Sequence, residues 1–133
     1  MAKLFADYQD RANFLCVYQA EAHPKEKWNF GEMFSFMAQH KTIEDRIQAA
    51  RDLIDIDSVH NTFTTNPSDN SKVRLVLDTM DNNFAITYSS HPDRIIIIDA
   101  EDKIVFVGSN VIEQIQQNDP MMDESRQWME QNL

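Results

Sequence analysis

Glu21 and His23 stand two residues apart in the polar stretch from Gln19 to Trp28, and they are the first residues whose types and spacing suit chemistry. A histidine titrates near neutral pH and can act as general acid or base, and a neighbouring carboxylate can polarise or orient it. A plainer role fits the same residues, in which His23 satisfies a backbone carbonyl at a strand end ahead of Pro24. Local sequence leaves both roles open. Cys16 is the single thiol. It lies inside the apolar run Phe14-Leu15-Cys16-Val17-Tyr18, where burial raises a thiol's pKa, so a structural core cysteine is expected. One cysteine makes neither an intrachain disulfide nor a CxxC pair, and the chain needs no oxidising compartment. His23, His40, His60 and His91 are far apart, with no HxH or HExxH spacing, so no metal is expected. Asp78 and Asp81 suit a divalent ion in type, but carboxylates at a strand exit more often cap the loop.

These residues belong to a chain of 133 residues with 42% hydrophobic and 26% charged positions, enough apolar content for one domain, residues 1–133, with its own core. The formal charge of -10 would repel a polyanion, which excludes nucleic acid as the natural partner. No apolar run is long enough to cross a bilayer and no signal-peptide core follows Met1, so a cytoplasmic protein or a soluble fragment of a larger one is expected.

The elements that must carry the candidates follow from periodicity. Leu4, Phe5, Tyr8 and Ala12 predict a short amphipathic helix, and Phe14–Tyr18 a strand buried on both faces within a parallel sheet. Gln19 to Trp28 then leaves that strand's carboxyl end, where open α/β sheets place their sites. Phe30, Met33, Phe34, Met37 and Ala38 share one helical face. Thr42 with Asp45 resembles a capping box opening a helix to about Leu53, striped by Ile43, Ile47, Ala50 and Ile54. Asn61 to Lys72 reads as a loop, Val73–Leu77 as the second strand, and Ile95–Ile98 with Lys103–Val107 as an antiparallel hairpin whose isoleucines are core. A helical segment near Val111–Gln117 and a last helix capped by Asp123, turning Trp128 and Met129 inward, complete the order.

The run Phe14 to Pro24 (Phe-Leu-Cys-Val-Tyr-Gln-Ala-Glu-Ala-His-Pro), followed by Trp28, resembles the iodothyronine deiodinase family. So do His40 followed by Ile43-Glu44-Asp45-Arg46-Ile47-Gln48-Ala49-Ala50, the segment Val76 to Asn82, Arg94 before the isoleucines, and Lys103 to Gly108. The resemblance spans about residues 4 to 108. It implies an α/β, thioredoxin-like mixed sheet flanked by helices, and reductive removal of iodine from thyroid hormones by a selenocysteine between the first strand and first helix. It implies catalytic roles for Tyr18, Glu21 and His23 around that selenium, with His23 relaying a proton. His40 would face the phenolic ring and Arg94 the substrate's carboxylate, as a guanidinium suits.

The departures from the family pattern carry equal weight. No cysteine or selenocysteine precedes the first helix, and the usual first central strand is missing, so the chain by itself is expected to lack turnover; a non-catalytic binding or assembly domain on the same scaffold is the alternative. No cofactor is expected, only a thiol reductant for a complete enzyme. The expected partners are a second copy and a small aromatic carboxylate, with neither nucleic acid nor membrane. Without the central strand, Phe14–Tyr18 and Ile95–Ile98 face a gap. Direct closure, or a strand from another chain, is required to satisfy their backbone groups.

Overall fold

The computed structural model describes residues 2–27, 31, 37–110 and 121–133. Its elements run α1 (Ala2–Tyr8), β1 (Leu15–Tyr18), α2 (Ile43–Ile56) with a 3-10 turn at Asp57–Val59, β2 (Phe63–Thr64), β3 (Val73–Leu77), α3 (Asn83–Tyr88), β4 (Ile96–Ile98), β5 (Ile104–Val107) and α4 (Met121–Asn132). This is an α/β architecture of small sheets flanked by helices, consistent with a thioredoxin-like plan. Trp28, the apolar positions Phe30, Met33 and Phe34, and the expected helix Val111–Gln117 lie outside the described residues. Met37 and Ala38, placed by periodicity on a helix, lie in non-helical chain.

Helix α1 ends at Tyr8, short of Ala12, in a turn where the amides of Arg11 and Ala12 share Tyr8 O at 2.9 Å. Helix α2 opens as its sequence dictates. Thr42 Oγ1 accepts the Asp45 N–H at 3.1 Å, while Asp45 Oδ2 accepts the Thr42 N–H at 3.0 Å, so the shorter aspartate still closes the box. Its buried side is Arg46, Ala49 and Ala50, which meet the sheet, whereas Ile43 remains exposed.

Three strands form a parallel sheet in the order β1-β3-β2, with Leu15 opposite Arg74 and Tyr18 opposite Leu77. The third of them, β2, lies within the expected loop Asn61 to Lys72; it is two residues long, pairing Phe63 with Val73 and Thr64 with Arg74, too short to show a period. Ile96 to Ile98 pair antiparallel with Val107 to Ile104 in a separate two-stranded sheet. Among the described residues β1 pairs only with β3 and β4 only with β5, so direct closure of the gap does not occur. Strand β1 is therefore an edge, and Leu15 is 51% exposed instead of buried on both faces. In the hairpin Ile95 and Ile97 pack inward, but Ile98 is exposed because successive strand residues face opposite sides and one side is uncovered.

One core cluster joins Leu4 and Tyr8 of α1 to Met129 of α4, with Phe14, Ile95, Ile97 and Trp128 packed around it. The inward turn of Trp128 and Met129 is as expected, although α4 begins at Met121 and Asp123 lies in its first turn, not at its cap. Val73 and Leu75 of β3, with Ala49 and Ala50, are the buried contacts beneath α2. Among the described residues no helix is long and apolar enough to cross a membrane.

Candidate functional site

Parallel pairing brings the carboxyl ends of β1 and β3 side by side, and the Asp78 N–H continues the ladder to Tyr18 O at 2.9 Å. The loops leaving both strands therefore emerge together, as open parallel sheets require. Tyr18, the last residue of β1, donates its hydroxyl hydrogen to Glu21 Oε1, and the same hydroxyl lies 3.8 Å from Met37 Sδ. Glu21 Oε1 stands 3.6 Å from His40 Nε2, and the Tyr18 and His40 rings lie 5.7 Å apart, tilted by 36°. The His40 side chain is only 3% exposed, and neither ring nitrogen meets a hydrogen-bond partner among the described residues.

Burial sets the protonation of this group. It pushes the Tyr18 hydroxyl far above its ordinary pKa, and the hydrogen bond to Glu21 with its negative charge adds to the effect, so Tyr18 is a fixed donor. Burial also lowers the His40 pKa, opposed by the carboxylates of Glu21 and Asp45 and reinforced by the Arg46 charge. At neutral pH the ring is uncharged. Such a group can hold a proton between a carboxylate and an imidazole, and can offer a ring nitrogen to an aromatic hydroxyl.

The structure brings Tyr18, Glu21 and His40 together. His23 is half-buried two residues beyond Glu21 in the same loop, before the buried Pro24. Arg94 is half-buried in the extended chain entering β4. That chain is tied to the exit of β1, because Ser90 Oγ donates to Gln19 Oε1 at 2.9 Å and Gln19 Nε2 reaches Ser90 O at 3.5 Å, just before the cis His91–Pro92 bond. Cys16 is half-buried in β1, not the core position expected, and desolvation raises its thiol pKa to about 11, which leaves little thiolate at neutral pH. Among the described residues no three metal-ligating side chains gather. Asp78 is a loop cap, accepting the N–H groups of Thr79, Phe84 and Ala85 at 2.8, 2.9 and 3.0 Å.

Two contributors escaped the residue-by-residue reading. Arg46 is 1% exposed and donates from Nη1 to Asp78 O at 3.1 Å and Thr79 O at 2.7 Å, and from Nη2 to Asn82 Oδ1 at 3.0 Å. It clamps α2 to the loop after β3. Its signal was available, since it falls three and four residues before Ala49 and Ala50 on the buried stripe, where a charge needs a reason. Gln39 is the other. Its Oε1 accepts the Glu21 N–H at 3.2 Å and its Nε2 donates to Glu21 O at 3.1 Å, contacts with no sequence signature.

The whole chain, residues 1–133, matches the family model described as iodothyronine deiodinase. It is 38% identical over 110 residues to a type II iodothyronine deiodinase of Fundulus heteroclitus, covering 80% of this chain and 37% of that protein. It is 32% identical over 137 residues to the human type II iodothyronine deiodinase, covering 98% and 43%, and 29% identical over 129 residues to a thyroxine 5-deiodinase of Gallus gallus, covering 97% and 43%. The chain thus spans less than half the length of these curated relatives.

Proposed function

We propose that this chain, which belongs to the iodothyronine deiodinase family, is the part of a reductive deiodinase that handles the proton and seats the substrate, while the attacking thiol or selenol comes from outside these 133 residues. The observation that carries this reading is the Tyr18–Glu21–His40 group, built around the buried His40 ring at the carboxyl end of β1, in a chain whose only thiol is half-buried in β1 with its pKa raised to about 11.

Replacing aryl iodide by aryl hydrogen needs two electrons and a proton. A selenol or thiol attacks iodine, the carbon–iodine bond breaks, the ring carbon takes a proton, and a selenenyl or sulfenyl iodide is left. A thiol reductant then releases iodide and regenerates the nucleophile. The residues of this chain would act on the proton and on position. Glu21 and His23 supply or relay the proton, with Tyr18 holding Glu21 in place by its hydroxyl. Buried, neutral His40 meets the phenolic end of the substrate, and Arg94 its carboxylate. Neither an imidazole nor a phenol substitutes for the polarisable nucleophile, so the 133 residues by themselves are inactive. The half-exposed strand residues Leu15, Ile98, Ile104 and Val107 favour self-association, which sedimentation equilibrium at micromolar concentration reads as a dimer or larger.

The test is iodide release from an iodinated phenol with a thiol reductant. The 133-residue chain should be silent. A chain extended at its amino end by a strand and a Cys or selenocysteine should turn over, and Glu21→Gln in that longer protein should slow it about 100-fold. Robust turnover by the 133 residues, lost in His23→Ala, would refute the external nucleophile. Silence of the folded longer protein would favour a non-catalytic binding domain.

A further inference from the structure

We propose that Gln39 is a positioning residue whose carboxamide registers the backbone of Glu21 against that of His40 and thereby sets the separation of their side chains. The inference rests on the proton-handling role given to Glu21 and His40 above. Three hydrogen bonds converge on one side chain. Gln39 Oε1 accepts the Glu21 N–H at 3.2 Å and the His40 N–H at 3.2 Å, and Gln39 Nε2 donates to Glu21 O at 3.1 Å. Reading both the N–H and the C=O of one residue is what a neighbouring strand does, but here a single amide does it, and the same oxygen holds the residue that must face Glu21.

The surrounding contacts hold the amide itself. The Gln39 N–H donates to Glu26 Oε2 at 3.1 Å, and the Lys25 N–H donates to Met37 O at 2.8 Å, so the loop after β1 and the segment entering α2 are tied on both sides of the clasp. One residue further on, the Lys41 N–H is held by Asp45 Oδ2 at 3.0 Å, which anchors the His40 backbone to α2. Glu21 has no regular element around it. Its carboxylate reaches 3.6 Å from His40 Nε2 because Gln39 fixes its main chain, not because a strand or helix does. Asparagine is one methylene short of this reach, and glutamate loses the donor and turns a charge toward Glu21 O.

The groups facing His40 are Tyr18 on β1, Glu21 on the following loop, and Asp45 and Arg46 on α2. A double-mutant cycle read by NMR titration of the His40 ring in the 133-residue chain isolates the Glu21 contribution. In the native background Glu21→Gln should weaken proton binding by His40 about tenfold, because an opposite charge at this range favours the imidazolium. In a Gln39→Ala background the same substitution should change it less than about twofold. A second variant, Gln39→Glu, should also shrink the coupling. A residue that only stabilises the loop would lower the unfolding midpoint and leave the coupling intact, so an undiminished coupling in either folded variant overturns the inference. Loss of fold in both variants assigns Gln39 to the framework and overturns it too. The cycle needs no turnover. Coupling absent from the native background beside working deiodination in the longer protein removes the clasp alone, whereas native coupling that Gln39→Ala abolishes, beside a longer protein that does not deiodinate, keeps the clasp and removes the reaction.

Discussion

Two polar groups lie at the same end of the parallel sheet, the first buried and the second half-buried around the buried His40, and they are completed to different degrees. In the Arg46–Asp78 group, Asp78 accepts three backbone N–H groups and Arg46 donates three hydrogen bonds to the turn that follows β3. In the Tyr18–Glu21–His40 group, one hydrogen bond joins Tyr18 to Glu21, and His40 stands 3.6 Å from the carboxylate with no hydrogen bond to its ring among the described residues. Burying polar atoms costs free energy unless they are bonded, so the first group is a framework and the second retains capacity for a ligand or a proton. The contrast explains why a buried arginine and aspartate, conspicuous in any list of charged core residues, are the less promising pair for chemistry.

Removing the clamp should have the largest effect. Arg46→Ala leaves three oxygens without their donors and should destabilise the fold by about 3 kcal/mol in urea denaturation, with Arg46→Lys recovering only part. An equal loss in His40→Leu would erase the contrast. Next comes Asp78→Asn, at about 2 kcal/mol near neutral pH, because an amide keeps one acceptor oxygen where the carboxylate has two. Burial works against the charge of Asp78, yet the N–H groups of Ala85, Phe84 and Thr79 and the Arg46 charge outweigh it, so its pKa is held below 3.8. Its stabilisation is therefore fully present above pH 3.8 and is lost as pH falls through the lowered folded value. The gap between wild type and Asp78→Asn should close over that window, and a gap independent of pH would contradict the charged cap.

The second group should respond more weakly. Tyr18→Phe removes one hydrogen bond and should cost about 1 kcal/mol, while a phenolate absorbance titration of the native protein should show Tyr18 ionising only on unfolding. The smallest change at neutral pH is His40→Leu, within about 1 kcal/mol, since a ring without hydrogen bonds among the described residues is exchanged for an apolar side chain. Its signature is in the pH dependence. Burial lowers the folded pKa of His40 below 6.5, so as pH falls from 6.5 toward that value the unfolded chain binds the proton first and the native protein loses stability. His40→Leu should flatten that part of the stability curve, and an unchanged slope would show that His40 is not held neutral.

Strand β1, the Thr42–Asp45 cap, helix α2, strand β3 and the isoleucine hairpin were legible in the sequence because each declares itself within a few residues, by period or by a capping pair. Strand β2 and helix α3 were not. Two residues of strand have no period, and Asn83–Tyr88 is a six-residue helix held by the Asp78 carboxylate from six and seven residues away. Of the candidate site, Glu21 and His23 could be reached from local chemistry, while Tyr18, His40 and Arg94 entered through the resemblance. What the fold added was the contact of Tyr18 and Glu21 with His40, across some twenty residues of chain.

By itself the sequence determined the family, the order of the main elements and the residue types available for proton transfer, since these depend on local pattern and composition. The tertiary structure decided which of those types meet. Parallel pairing of β1 and β3 chose which loops share an end of the sheet, the Gln39 amide brought Glu21 beside His40, and the lack of pairing between β1 and β4 left Leu15 exposed. Such outcomes depend on distances between residues far apart in the chain, and no local periodicity encodes a distance across a loop.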